Sequence, residues 1–466
     1  MPASRLSAAL ALMTAVSLVG FGAVAQPNPR PRSGDVQTAA AGIRHVFIIL
    51  LENKSFSDTF EESSQDPYLQ KTLVPMGALL GEYYGTAHVS LDNYIALISG
   101  QAGTPDTDND CLIPPQGPQY VDMQTTGATP DGQVVAAHGC IYPREVKTLV
   151  DQLEASGRSW KAYMEDMGND PARESATCGH PPVGGRDVTS SAEAPSAAVP
   201  LGDGYATRHN PFMYFHSIID SPSCDARVVN LDKLPADLDD ERTTPNFSLI
   251  SPNLCNDAHD GAGTGAPGTR CANGDPGGLT SADAFLARWV PKILASRAYR
   301  KDGLLIVTFD ESAGTTHESV DESTGKQVLD FVFSGKTCCH QPAGPNLANA
   351  RPGTVVLADN GKTVVRWVFE GYGGDRVGAV LLSPFIKPGS KSATPYNHYS
   401  LLRSLEDIFR IGDYLGYAAN DPTKGYVLDT IGNDRQVFKK NGGRPSGRER
   451  GAREANGLAT TPAVPR

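Results

Sequence analysis

The 466-residue sequence lacks several features that would place it quickly in a common class. After residue 25 it has no run of about 18 consecutive apolar residues, so it predicts no spanning helix and no stable membrane insertion. It has no G-x-S-x-G motif, which disfavours an α/β-hydrolase esterase. The segment SGKTCC at 334–339 matches the end of a P-loop, but the first glycine of that motif would fall on Asp330. We also find no internal repeat.

The main part of the chain also lacks the positive charge expected of a nucleic-acid-binding protein. The whole sequence carries −11, of which residues 1–25 contribute +1 and residues 437–466 contribute +5. Residues 26–436 therefore carry −17, which predicts no nucleic acid as a natural partner of this region.

Both ends of the sequence differ in composition from its centre. An apolar stretch from Leu6 leads to Ala23-Val24-Ala25, which fits the cleavage pattern of a signal peptide over residues 1–25. The alternative, an uncleaved membrane anchor, is disfavoured by that cleavage site. We expect a flexible linker over 26–41, one folded domain over 42–436, and a basic, disordered tail over 437–466.

Eight cysteines indicate a protein of an oxidising compartment, secreted or periplasmic, with up to four disulfides. Their pairing and the oligomeric state stay open. Cys338-Cys339-His340 suggests a metal site, but neighbouring cysteines rarely chelate one ion, so disulfides are favoured.

The apolar pattern predicts an α/β fold. Nearly continuous apolar runs are typical of strands covered on both faces, and helical spacing between them predicts helices on both sides of a mainly parallel sheet. The predicted strands are 45–51, 95–98, 247–250, 304–309 and 379–382, and the predicted helices are 145–156, 282–295 and 400–411. Long irregular insertions are predicted over 101–139, 167–207, 257–278 and 312–378.

Polar residues follow these strands at the carboxyl ends, where open parallel sheets bind ligands. Carboxylates, amides and imidazoles together suit a divalent metal ion, one or two in number and of unknown identity. The candidates are Glu52, Asn53, Asn253, Asp257, His259, Asp310, Glu311, Asn397 and His398.

A candidate nucleophile lies in AHVSLDNYIALISGQ at 87–101. Ser90 precedes an apolar run that is helical or strand-like, and a serine at a helix N-terminus is well placed to receive a phosphate group. Asn93 could then donate to a phosphate oxygen. Taken alone, a serine before a helix is usually just an ordinary N-cap.

Seven short sequence motifs, which occur in a fixed order along the chain, together indicate a family resemblance. ENKSF, SLDNYIALISG, SWKAYMEDM, HNPFMYF, PNLCNDAHD, IVTFDES and YNHYSLLRSLEDIF resemble the bacterial and fungal phosphoesterase family of acid phosphatases and phosphatidylcholine-type phospholipases C, across about residues 43–415. Two residues depart from the usual pattern: Lys54 replaces an arginine, and Asp92 replaces a proline and adds a negative charge.

The resemblance implies a fold similar to the alkaline phosphatase superfamily, with a phosphoesterase catalytic domain over 42–436. It implies Ser90 as nucleophile, Asn53 and Asn93 as substrate-binding amides, and His398, His259 or His209 as the catalytic acid. It implies metal ligation by Glu52, Asn53, Asp310, Glu311, Asp257 and His259.

The function predicted from this resemblance is a metal-dependent phosphomonoesterase that acts on a phosphate ester through a phosphoserine. Two alternatives stay open. One is a phospholipase C that cleaves phosphatidylcholine or phosphatidylinositol; the other is a non-catalytic surface or binding protein on the same scaffold.

Overall fold

The structure is a computed structural model that describes residues 40, 42–61, 64–113, 117–259, 270–347 and 352–439. The predicted signal peptide, the predicted linker apart from Ala40, and the predicted tail beyond Lys439 lie outside the described residues.

Twelve of the strands in the described residues form the two larger sheets. In chain order they are β1 (His45–Leu51), β2 (Ala78–Leu80), β3 (Trp160–Met164), β4 (Val228–Asn230), β5 (Phe247–Ser251), β6 (Gly303–Phe309), β7 (Thr315–Val320), β8 (Gln327–Phe333), β9 (Gly353–Asp359), β10 (Thr363–Phe369), β11 (Ala379–Leu382) and β12 (Ser390–Ser392). Shorter strands are Tyr83–Tyr84, Leu112–Ile113, Gly117–Tyr120, Gly127–Ala128, Val134–Val135, Gly185–Arg186 and Tyr396–Asn397.

The central sheet has eight strands in the order β4-β3-β5-β1-β6-β11-β2-β12. Strand β1 lies parallel to β5 and β6, with Ile48 in register with Leu249 and Ile306. All residues of β1 and β6 are buried, as expected for apolar strands covered on both faces. Strand β11 runs antiparallel to both of its neighbours, β6 and β2. The sheet is therefore mixed but mostly parallel, and the predicted α/β class is confirmed.

The helices form two packed groups. In chain order the helices of five or more residues are α1 (Phe56–Phe60), α2 (Ser90–Ser99), α3 (Leu149–Ala155), α4 (Leu234–Leu238), α5 (Gly278–Ala295), α6 (Arg297–Asp302) and α7 (His398–Ile408). Shorter α-helices are Val74–Met76, His216–Ile219 and Cys224–Arg227, and a π-helical turn spans Leu69–Leu73. Helix α2 packs against α3 and α7, whereas α5 packs against α4 and α6.

One predicted strand is wrong, because residues 95–98 belong to helix α2. Every residue of α2 is buried, so the helix has no polar face that would reveal a period of 3.6 residues. Gly100, with φ of 70°, ends the helix in the left-handed conformation, and this stop signal distinguishes helix from strand.

The predicted irregular segment 312–378 is also wrong, because it contains a second sheet. Strands β7, β8, β10 and β9 lie side by side in that order, with β8 parallel to β10 and the outer pairs antiparallel. Most of their residues are exposed or half-buried, and charged and Thr residues interrupt the apolar runs. That weak apolar signal is why the sequence pattern did not predict them.

Four disulfides join all eight cysteines, as predicted: Cys111–Cys140, Cys178–Cys224, Cys255–Cys271 and Cys338–Cys339. In the described ranges no helix has the length and apolar character needed to cross a bilayer. At the predicted tail boundary, Val437 and Phe438 are still buried, and Lys387 N–H donates to Val437 C=O at 3.0 Å.

Candidate active site

The site begins where β1 and β6 end side by side. Leu51 and Phe309 are in register as the last residues of these strands, so Glu52 and Asp310 follow at matched positions. The backbone N–H of Asn53 donates to Asp310 Oδ1 at 2.9 Å. The backbone N–H of Glu52 donates to the Asp257 carbonyl at 2.7 Å, which joins the segment after β5 to the same edge. Four of the predicted residues, Glu52, Asn53, Asp257 and Asp310, therefore meet at this edge, whereas the side chain of Asn253 donates to Asp166 at 2.6 Å.

Ser90 is the first residue of α2 and lies directly over this edge. Its hydroxyl donates to Glu52 Oε2 at 2.6 Å, and the side chains of both residues are buried. Burial raises the pKa of Glu52 to about 7. Burial, with the negative charges of Glu52 and Glu311, raises the pKa of Asp310 well above its ordinary value. The Ser90 hydroxyl therefore lies beside two carboxyl groups, those of Glu52 and Asp310, whose ionisation is disfavoured by burial.

The turn before Ser90 is strained and firmly held. Val89 has φ of 137° and ψ of 131°, a conformation that only glycine adopts readily. Its N–H donates to Glu311 Oε1 at 3.2 Å, and its C=O accepts from Asn93 Nδ2 at 3.2 Å. These two contacts hold the turn that aims the Ser90 hydroxyl at the edge of the sheet.

Asn93 and Glu311 serve this turn with most of their hydrogen-bonding capacity. Asn93 Oδ1 accepts from Thr86 N–H and Ala87 N–H, and Nδ2 also donates to Ala87 C=O at 2.9 Å. The other Glu311 oxygen bonds to His88 Nδ1, and His88 Nε2 bonds to Asp375 at 2.8 Å.

Within this cluster, burial opposes protonation of His88. The flanking carboxylates nevertheless raise its pKa to about 9, so His88 is a cation that balances them.

His209 and Asp257 complete the buried side of the site. His209 Nε2 lies 3.3 Å from Glu52 Oε1, and Nδ1 lies 3.8 Å from Asp257 Oδ2, with the ring stacked on Tyr94 at 5.4 Å. Burial, together with the charges of Arg208 and His259, lowers the pKa of His209 well below its ordinary value. The imidazole is therefore neutral, and one of its nitrogens keeps a lone pair.

His398 is at the site but faces the protein interior. Its Nδ1 bonds to the Tyr83 hydroxyl at 3.0 Å, and its Nε2 bonds to the Asp310 backbone carbonyl at 2.6 Å. Burial lowers its pKa to about 4. The preceding Asn397 caps α7 by accepting from Ser400 N–H at 2.9 Å. His398 thus braces the strand end that carries Asp310.

A cavity of about 530 Å³ opens over Ser90. It is lined by Asn53, Ser90, His259 and Glu311 from the predicted set, and by Lys54 and Arg208, to which the sequence analysis gave no role. Burial lowers the pKa of Lys54, and the surrounding carboxylates oppose that shift. Arg208 directly precedes His209, and its Nε lies 3.7 Å from Asp110 Oδ2. Its position next to His209, a predicted site residue, is the sequence feature from which Arg208 could have been predicted to line the cavity.

Asp92 does not add its charge to this cavity. A Cβ atom placed on Gly103 would lie 2.0 Å from Asp92 Oδ2, so this buried carboxylate packs against the backbone of residue 103. After burial, the negative charge of Asp92 also raises the pKa of Tyr142, a residue that does not line the cavity. Asp92 therefore lies outside the lining of the cavity over Ser90.

The donor atoms at the edge of the sheet fit a divalent cation. Glu52 Oε1, Asn53 Oδ1, Asp310 Oδ2 and both His209 nitrogens are buried and have no hydrogen-bond partner among the described residues. A buried polar atom left in this way costs about 1–3 kcal/mol, and a cation would satisfy several at once. In the part of the chain that the structure describes, no three His, Cys, Asp or Glu side chains already form a group that could hold a metal ion. The chemistry of the donors fits, although they are not gathered into a finished cage.

The mostly parallel sheet, the serine hydroxyl beside buried carboxyl groups at its carboxyl edge and the cavity lined by that serine define an α/β protein with a candidate active site at this edge. Residues 58–412 match the Phosphoesterase family, and the chain belongs to this family. The predicted resemblance is confirmed.

Relatives with assigned names match only part of their own length. A phosphate-repressible acid phosphatase of Penicillium chrysogenum is 25% identical over 287 residues, which cover 62% of this chain and 51% of that protein. A phosphatidylinositol-3-phosphatase of Mycobacterium tuberculosis is 24% identical over 325 residues, covering 70% and 75%. The chain spans about half the length of the fungal relative.

Among solved structures, a mutant of the alkaline phosphatase PafA overlaps 85% of this chain and 99% of its own. Its sequence identity is 12% and the TM-score is 0.38. A TM-score this low adds no argument about the fold beyond the strand topology itself.

Proposed function

We propose that this chain is a secreted or periplasmic, metal-dependent phosphomonoesterase of the acid phosphatase type that acts through a phosphoserine at Ser90. The single observation that carries the proposal is the position of the Ser90 hydroxyl. It is 2.6 Å from Glu52 Oε2, at a helix N-terminus and in the lining of a cavity to which Lys54 and Arg208 bring positive charge and Asp110, Asp187 and Glu311 bring negative charge.

The phosphate group would bind between Ser90 and the two cationic side chains. A phosphate monoester is an anion, and the N-terminus of α2 adds a partial positive charge from aligned peptide dipoles. Arg208 presents a planar set of donors that suits phosphate oxygens. Lys54 and Asn53 both line the cavity, and Lys54 Nζ donates to the Asn53 backbone carbonyl at 3.2 Å.

In the first chemical step, Ser90 Oγ attacks phosphorus in line with the ester bond while Glu52 accepts the hydroxyl proton. The ester oxygen takes a proton from His259, the predicted acid that lines the cavity, as its bond to phosphorus breaks, and the product leaves as a neutral alcohol. His398 is less suited to this role because both of its ring nitrogens are engaged. Water then releases phosphate from the serine, so one difficult displacement is divided into two easier ones.

Asn53 and Asp310 would hold a divalent cation, with His209 and Asp257 beside them, whereas Glu52, also predicted as a ligand, is assigned here to the Ser90 proton. When bound, the cation supplies charge that stabilises the oxygens of the transferring group and lowers the pKa of a nearby hydroxyl. Glu311 contributes differently from the predicted ligand role, because its oxygens bond to His88 and Val89 N–H. We assign Glu311 and Asn93 to holding the turn before Ser90.

Two observations support the proposed location and substrate class. Four disulfides are typical of proteins from oxidising compartments. The named relatives above are phosphatases.

The test is phosphate release from p-nitrophenyl phosphate, measured before and after chelator treatment and after returning single metal ions. We expect activity that a chelator abolishes and one metal restores, and a loss of at least about a thousandfold in kcat for Ser90→Ala. Ser99→Ala is the matched control, because Ser99 lies on the same helix but its hydroxyl donates to Ile95 C=O at 2.7 Å and accepts from Gln101 N–H at 3.3 Å, away from the cavity. Preference for p-nitrophenyl phosphorylcholine would favour the phospholipase C alternative, and no release from either would favour the binding-protein alternative.

A further inference from the structure

The cavity over Ser90 has a second wall of a different character. It is formed by Phe331 and Phe333 of β8 and by Trp367 and Phe369 of β10, which line the cavity together with the charged residues. The loop before β7 adds Ala313 and Gly314, and β7 adds Thr316. Thr316 is the one side chain of this described wall that has a hydroxyl. A wall of this kind gives a polyol or sugar few hydrogen bonds and gives a flat apolar group a large contact area.

The four aromatic side chains share one face of the second sheet. Phe331 is in register with Trp367, and Phe333 with Phe369, across the parallel pair β8–β10. Because side chains alternate along a strand, the residue before each aromatic residue faces the other way. Asp330 and Arg366 do so, and they form a paired contact of 2.6 and 2.7 Å on the far face. The aromatic residues therefore face the cavity through strand geometry.

The aromatic wall is packed against itself. The ring centroids of Phe333 and Phe369 are 5.1 Å apart and nearly parallel, whereas Trp367 meets Phe369 edge-on at 6.2 Å. Such offset and edge-on pairs are the arrangements that aromatic quadrupoles favour. A Cβ atom placed on Gly314 would lie 2.7 Å from the Phe333 ring, so that ring packs closely against the Gly314 backbone. The wall is a preformed surface of π faces and edges.

The wall is also fixed relative to the nucleophile. The His88 ring lies 4.7 Å from that of Phe333, and His88 bonds to Glu311, which holds the turn of Val89 before Ser90. A group bound on the aromatic wall is thereby placed at a set distance from the reacting oxygen. Binding energy gained there helps to orient the phosphate for attack.

We propose that these four aromatic residues form the leaving-group subsite, and that the preferred substrates are phosphate monoesters whose alcohol carries an aromatic ring. This inference rests on the proposed phosphomonoesterase function and specifies its substrate class. A cavity of about 530 Å³ holds a phosphate group together with a ring-bearing alcohol. The charged wall would take the phosphate, and the aromatic wall would take the ring.

The test compares benzyl phosphate with cyclohexylmethyl phosphate, which have similar size and leave as similar primary alcohols but differ in flatness. For the wild-type chain we expect kcat/KM to be about tenfold higher for the benzyl ester. Benzylphosphonate, which is not hydrolysed, should inhibit about tenfold more tightly than cyclohexylmethylphosphonate. Neither comparison requires a variant to fold.

Trp367→Leu should remove most of this preference by raising KM for the benzyl ester about tenfold, while kcat/KM for glycerol 2-phosphate changes less than twofold. Phe331→Leu is the second variant, in case Trp367→Leu fails to fold. Val356→Ala is the matched control, because Val356 is exposed and pairs with Arg366 on the far face. It should behave as wild type.

The outcomes separate the two proposals. If no phosphate ester is hydrolysed, the proposed function fails. If both ring esters are hydrolysed with equal kcat/KM, the function stands and the aromatic subsite is refuted. Preference for octyl phosphate over benzyl phosphate would also refute it, because the wall would then bind flexible aliphatic chains.

Discussion

The strained turn before the nucleophile gives a prediction whose sign can be worked out from the structure. Val89 sits at φ of 137° and ψ of 131°, and a β-branched residue in such a region costs about 1–3 kcal/mol. Replacing it with Ala keeps a Cβ atom and so keeps most of the strain. Replacing it with Gly removes the strain but adds about 0.5–1 kcal/mol of unfolded-state entropy. Both variants lose the same half-buried branches of the valine.

The difference in the free energy of unfolding between the two variants reports the backbone conformation at residue 89, because both variants lose the same side-chain contacts. We expect Val89→Gly to be more stable than Val89→Ala by about 1 kcal/mol, the reverse of the order at an ordinary position. Urea unfolding of the two proteins, fitted with a shared m value, measures this difference. Val89→Gly should also have a lower kcat, because a glycine turn holds Ser90 less firmly. If Val89→Ala is as stable as Val89→Gly or more so, our interpretation of a strained catalytic turn is wrong.

Three further predictions test the core, the phosphate side of the cavity and the packing behind Ser90. Burial raises the pKa of Glu406 from 4.5 to about 8, so its stabilising contribution is complete below pH 4.5 and is lost as the pH rises towards 8. Glu406→Gln should therefore have the same free energy of unfolding as wild type near pH 4, and a free energy roughly 5 kcal/mol higher above pH 8. Thermal unfolding measured across this pH range would show the change, and a difference that stays constant with pH would contradict the prediction. Arg208→Ala should lower kcat/KM for phosphate esters roughly a hundredfold, while Arg366→Ala on the far face of the second sheet changes it less than twofold; equal effects would remove Arg208 from the site. Gly103→Ala should destabilise the protein by about 2 kcal/mol, because its Cβ would meet the Asp92 carboxylate at 2.0 Å, and unchanged stability would show that Asp92 faces elsewhere.

The strands of the central sheet that carry the site were predictable because each is a continuous apolar run followed by acids. Strands β1 and β6 are buried along their whole length, and Glu52 and Asp310 mark their ends in the sequence itself. Helix α2 was mistaken in part for a strand because a helix buried all round has the same apolar run. The second sheet was missed because its strands are half exposed and rich in Thr and charged residues.

Within the site, residue identity was easier to predict than residue orientation. The sequence pattern brings Asn93, Glu311 and His398 to the right region, but it cannot show that their polar atoms are used by the backbone and by His88 and Tyr83. The contacts of Glu311 and His398 come from segments hundreds of residues away, since Tyr83 and His398 are 315 positions apart, whereas the contacts of Asn93 lie within seven residues of it.

The central claim, that Ser90 becomes phosphorylated during turnover, has one direct measurement. The full chain is mixed with a phosphate ester, quenched in acid within one turnover, digested, and analysed by mass spectrometry. We expect one phosphoryl group on the peptide that contains Ser90, absent from the Ser90→Ala protein and from a sample quenched before substrate is added. Turnover that proceeds with no phosphoryl group on that peptide, or that persists in the Ser90→Ala protein, would contradict the mechanism.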